Sequence, residues 1–96
     1  MAQITVHRPD AQARPAAAVE YATRRKVPEG AVLTLIENGK PHARDLMRFV
    51  AAELEQRVPI ARVDVFSKPS AAKPIDADEA KALAARSHLV ITGVGD

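Results

Sequence analysis

From residue 30 onward the apolar positions change their period along the chain. Ala31-Val32-Leu33-Thr34-Leu35-Ile36 is short and nearly continuous in apolar residues, with Gly30 before it and Asn38-Gly39 after it. That is how a strand buried on both faces reads. Over His42 to Arg57 the spacing becomes three and four. Leu46, Phe49, Val50, Leu54 and Val58 form one stripe, and Arg44, Asp45, Arg48, Glu55 and Gln56 take the wet side. This predicts a helix with the stripe turned inward, and Pro41 suits its first turn, where a missing N–H costs nothing. Ile60 to Phe66, with Ile60, Val63 and Val65, reads as a second strand ended by Ser67-Lys68-Pro69-Ser70. Residues 71–75 read as a loop. Asp76 then opens a second helix, with Glu79 at capping-box spacing and Ala77, Ala80, Leu83 and Ala84 as its inward face. Ser87-His88 closes it. Leu89 to Thr92 is the third strand, followed by Gly93-Val94-Gly95-Asp96.

Strand, helix, strand, helix, strand with right-handed crossovers predicts an α/β fold. Its core is a three-stranded parallel sheet of βαβαβ connectivity, half of a doubly wound domain. The α/β domain spans residues 30–96. Residues 1–29 form an irregular N-terminal arm with Pro9, Pro15 and Pro28, expected to pack on the domain or on a partner. Within it Ile4-Thr5-Val6 suggests a short strand, and residues 16–25 suggest one or two helical turns.

Composition narrows the chemistry. Ninety-six residues allow one core, and 19 alanines make it a thin one. Cysteine is absent, so this sequence carries no disulfide, thiolate ligand or cysteine nucleophile of its own. Fourteen Lys and Arg against 12 Asp and Glu give +2, and aromatics are 3%. Both argue against nucleic acid as a partner. No apolar run approaches the roughly 20 residues of a membrane span, and the first ten residues hold no apolar signal core. The expectation is a cytoplasmic protein with no membrane partner. His42 reads as a surface histidine, and His7 and His88 have no metal-ligand neighbour at useful spacing, so no metal is expected; no cofactor is expected either.

In open parallel sheets ligands sit outside the carboxyl ends of the strands. Three loops fall there, and they supply the candidate substrate-binding residues: Asn38, Gly39 and Lys40, then Lys68, then Gly93, Gly95 and Asp96. Taken singly, Asn38-Gly39 is an ordinary turn and each lysine a solvated one; their convergence on one edge makes a site. Asn and Gly permit positive φ. Two ammonium groups and two helix N-termini make the edge suited to a small anionic substrate such as a carboxylate. Gly93-x-Gly95 is only a fragment of a phosphate-loop pattern, because no helix follows it. The third strand would be half covered, which predicts a homodimer or a second chain completing the sheet.

The segments LTLIENGKPHARDLM, Lys68-Pro69-Ser70, the helix Asp78 to Arg86 and HLVITGVGD together resemble the UGSC family of selenocysteine- or cysteine-containing proteins. The likeness spans Val32 to Asp96. In that family Gly-Val-Gly-Asp is followed directly by selenocysteine or cysteine, then Gly, Ser and Cys. The resemblance implies thiol or selenol chemistry at the end of the third strand, in a redox or thiol-transfer protein. A selenol is largely ionised at neutral pH, whereas an ordinary thiol has a pKa of about 8.5. In that scheme Lys40 holds a substrate anion or lowers the selenol pKa, Asn38 donates to an oxyanion, and Lys68 faces the nucleophile from the second loop. Gly93 and Gly95 admit close backbone approach. Because UGA encodes selenocysteine and is otherwise a stop, the resemblance also predicts an N-terminal fragment truncated at a recoded codon and inactive alone. The alternatives are a complete subunit of a heteromeric enzyme and a non-catalytic module for a small anion.

Overall fold

The computed structural model describes residues 2–6, 8–9, 18 and 20–95. Strand β1 (Ala31–Glu37) is central, β2 (Ile60–Ser67) lies on one side and β3 (Leu89–Gly93) on the other. Both pairings are parallel, so the order is β2-β1-β3. Helix α1 (Ala43–Glu55) joins β1 to β2, and α2 (Ala77–Arg86) joins β2 to β3. The three strands and two helices fall where the pattern of the sequence predicts them, to within a residue or two.

The chain steps one way from β1 to β2 and then back past β1 to β3. With right-handed crossovers this reversal puts the two helices on opposite faces. The side chains agree. Leu33 and Leu35 are fully buried in one cluster with Met47 and Ala51 of α1. Thr34, between them and so on the other face, meets Ser87 at the end of α2, with 2.5 Å between the hydroxyl oxygens. Ser87 Oγ in turn donates to Leu83 O at 2.6 Å. Asp76 caps α2 by accepting from Asp78 N at 3.1 Å.

Helix α1 turns a different face inward from the one predicted, and helix α2 buries only part of its predicted face. In α1 the buried residues are Ala43, Met47 and Ala51, and Leu54 and Val58 are half-buried. Leu46, Phe49 and Val50 are exposed, Phe49 at 74%. The helix has two apolar stripes about 100° apart, and small residues let its axis approach the sheet closely. In α2 only Leu83 is buried; Ala80 is half-buried, and Ala77 and Ala84 are exposed. A methyl group reaches too little to cover the distance to the strands.

The arm also differs from expectation. Ile4, Thr5 and Val6 are exposed and form no strand, and residue 18 and residues 20–25 are not helical. Three residues without a partner strand have no ladder to join, and one or two helical turns without a packed face do not sustain themselves. The rest of residues 16–25, and His7, lie outside the described residues.

Candidate functional site

The strand order fixes where a site belongs. The chain reverses direction between β1 and β3, and their carboxyl ends form the crevice where open α/β sheets take ligands. A cavity of about 390 Å³ lies there, lined by Asn38, Lys40, Ala71, Ala72, Val94 and Gly95. That is a volume suited to a small molecule.

Each loop arrives by a local cause. Gly39 sits at φ 80°, a conformation that favours glycine. Lys40-Pro41-His42-Ala43 is then a tight turn closed by Ala43 N donating to Lys40 O at 3.1 Å. Proline at its second position and φ 65°, ψ 1° at His42 make it a type II turn. Pro41 therefore serves the turn ahead of α1 rather than the helix itself. His42 holds a left-handed conformation normally given to Gly or Asn, and its side chain caps nothing.

Two side chains brace the loops. Asn38 Nδ2 donates to Val94 O at 2.6 Å, which ties the loop after β1 to the loop after β3. Its Oδ1 accepts from Lys40 N at 3.4 Å. Glu37, the last residue of β1, is 6% exposed. Its Oε2 accepts from Gly39 N at 2.6 Å. The Ser67 hydroxyl, the Gly39 N–H and, more weakly, the Arg44 charge hold its carboxyl below the ordinary value of 4.5, against the opposing effect of burial. The group is a carboxylate at neutral pH.

Of the candidate residues, Asn38, Lys40 and Gly95 line one crevice. Gly39 forms the turn between the first two, and Gly93 ends β3 opposite Glu37. Lys68 is not brought to it: its Nζ donates to Lys73 O at 2.8 Å and closes its own loop. A Cβ added at Gly93 would meet only Met47 Sδ at 3.7 Å, and one at Gly95 would meet nothing within 4 Å. Packing within these residues therefore demands neither glycine. Asp96 lies outside the described residues. Asn38 has one amide hydrogen engaged by Val94 O, which gives it a bracing part in addition to any donation to substrate.

Sequence reasoning passed over Glu37, Ala71, Ala72 and Val94. For Glu37 a signal existed: it is the first charge after a continuous apolar strand, directly before Asn-Gly. The alanines carried none, since only the path of the second loop brings them to the crevice. Among the described residues no group of three or more His, Asp or Glu could hold a metal ion, and no helix is long and apolar enough to cross a membrane.

No curated protein and no solved structure matches the chain. The family model of UGSC matches residues 5–96, and so reaches through most of the arm as well as the sheet. On that match, which covers nearly the whole sequence, the chain belongs to the UGSC family.

Proposed function

We propose that the β1/β3 crevice is the substrate-facing part of a selenol- or thiol-dependent redox or thiol-transfer site. The carrying observation is the Asn38 to Val94 hydrogen bond, which joins the loop bearing Lys40 to the loop in which the family places its nucleophile. These 96 residues contain no cysteine, so the selenium or sulfur atom comes from outside them. An ionised selenol or thiol delivered beside Gly95 would face Lys40 across the crevice. The lysine charge would favour both the ionised nucleophile and an anionic substrate. Residues 30–96 act as the α/β unit in this reading, and the arm is an accessory to it.

The bare side of the molecule supports a further unit completing the sheet. The outer edge of β3 pairs with nothing among the described residues, and Val90 on it is 48% exposed. By the handedness of the crossover, the exposed stripe of Leu46, Phe49 and Val50 looks toward that same side. Either a continuation of this chain or a second chain would supply both a strand and the nucleophile.

The test is a protein in which these residues are followed by Cys-Gly-Ser-Cys and whatever the gene encodes after it. Disulfide exchange and peroxide reduction are assayed with and without Asn38→Ala. The expected result is activity that falls at least about tenfold in the variant while the fold is kept. Anion binding to the crevice with no thiol chemistry would instead favour the binding-module reading.

A further inference from the structure

We infer that Glu37 is a positioning residue for the crevice: its buried carboxylate sets the turn that presents Asn38 and Lys40 and fixes that turn to the end of β2. The side chain stands at the carboxyl end of the central strand, with Ser67 opposite it on β2 and Gly93 opposite it on β3. One carboxylate oxygen takes the Gly39 N–H, two residues ahead, at 2.6 Å. The Ser67 hydroxyl donates to the same group. The backbone carbonyl of Glu37 also accepts from Lys68 N at 2.8 Å, so side chain and main chain hold β2 together. Asn38, the next residue, carries the connection on to Val94. The result is a chain of hydrogen bonds from the end of β2, through Glu37 and the Gly39 turn, to the exit of β3.

A carboxylate is a costly choice for this place. A buried charge left without partners is penalised by several kcal/mol, and a neutral acceptor would avoid that cost. Charge-assisted bonds to N–H and O–H donors are roughly twice as strong as neutral ones, so ionisation is what makes the turn rigid. The charged group acting on it from α1 is Arg44; β2 presents the Ser67 hydroxyl, and β3 presents a glycine with no side chain. A position beneath a proposed anion site is otherwise a poor one for negative charge, which points to a role in geometry and not in binding. This role rests on the crevice being the functional site, and the readout below is geometric, so one can fail without the other.

The experiment is a pH titration of the ¹⁵N-labelled chain, following the amides of Gly39, Lys40 and Gly95 and the side-chain amide of Asn38. The expected result is that all four move together with one midpoint below 4.5. Glu37→Gln should abolish the shared titration and speed Gly39 hydrogen exchange by about tenfold, the equivalent of losing roughly 1.4 kcal/mol. Glu37→Asp should restore part of both. The amides of Leu33 and Leu35 report whether the variants remain folded. If Gly39 alone titrates while Asn38 and Gly95 stay still, the carboxylate acts only on its own turn and the inference fails. It fails equally if Glu37→Gln leaves the crevice signals where they were. Should the Gln variant not fold, the wild-type titration decides by itself.

Discussion

The two faces of the sheet are held in different ways. On the α1 face Leu33, Leu35, Met47 and Ala51 form a dry cluster, with Val63, Val65, Leu89 and Ile91 packed around it. On the α2 face the central strand offers Thr34, whose hydroxyl pairs with Ser87, and the helix contributes Leu83 as its one buried residue. The first face is an apolar core. The second is a small contact located by hydrogen bonds. Burial scales with apolar area, so the α1 face carries most of the stability and the α2 face mainly sets where a helix lies. The crevice loops are positioned by Glu37 and Asn38 at the strand ends, and Val94 of the crevice packs against the edge of the dry cluster.

Changes to the two faces should therefore differ in size. Leu35→Ala should cost the most, about 2–5 kcal/mol, because it opens a cavity in the dry cluster of the α1 face; urea unfolding measures it. A loss under 1 kcal/mol would mean that the α1 face is not the core. Acid should act next. Because the folded state lowers the Glu37 carboxyl below 4.5, its contribution to stability is complete above that pH. The contribution is lost as pH falls through the folded-state value. Glu37→Gln should remove that part of the acid dependence, as read by denaturant midpoints between pH 5 and 2. On the second face, Thr34→Val removes one hydroxyl bond and should cost about 1 kcal/mol. A cost as large as that of Leu35→Ala would erase the contrast between the faces.

Two smaller effects sharpen the picture at α1. His42→Gly should stabilise by about 0.4–1 kcal/mol, because glycine holds the left-handed turn position without strain. Loss of substrate binding in that variant would instead give His42 a role in the site. Phe49→Ser should change stability by no more than about 0.5 kcal/mol, since the ring is mostly exposed. Its visible effect should be on association: sedimentation should show less self-association than the parent chain.

The order of elements was legible in the sequence because period and punctuation agree. β-branched runs bounded by Gly and Asn-Gly mark β1, and Asp76 marks the start of α2. The facing of α1 was not legible. Leu46, Phe49 and Val50 outweigh Ala43, Met47 and Ala51 on any hydrophobicity scale, yet the small residues turn inward because helix and sheet must approach closely. Asn38, Lys40 and Gly95 could be placed on one edge from topology alone. That Lys68 folds back onto Lys73 O depends on the shape of a loop whose sequence does not specify it. Glu37 carried a signal only of position, as the first charge at the end of an apolar strand. There a charge reads as the end of the element, and its bond to Gly39 N becomes visible only once the turn is formed.

The central claim is that the β3 exit leads into a selenium or sulfur nucleophile opposite Asn38 and Lys40. Reading the gene past the Asp96 codon tests it most directly. The account predicts UGA or a cysteine codon, followed in frame by Gly, Ser and Cys codons. Any other continuation, with no neighbouring gene encoding a chain that carries the selenocysteine or cysteine, would contradict it and would leave the crevice as a site for a small anion without thiol or selenol chemistry.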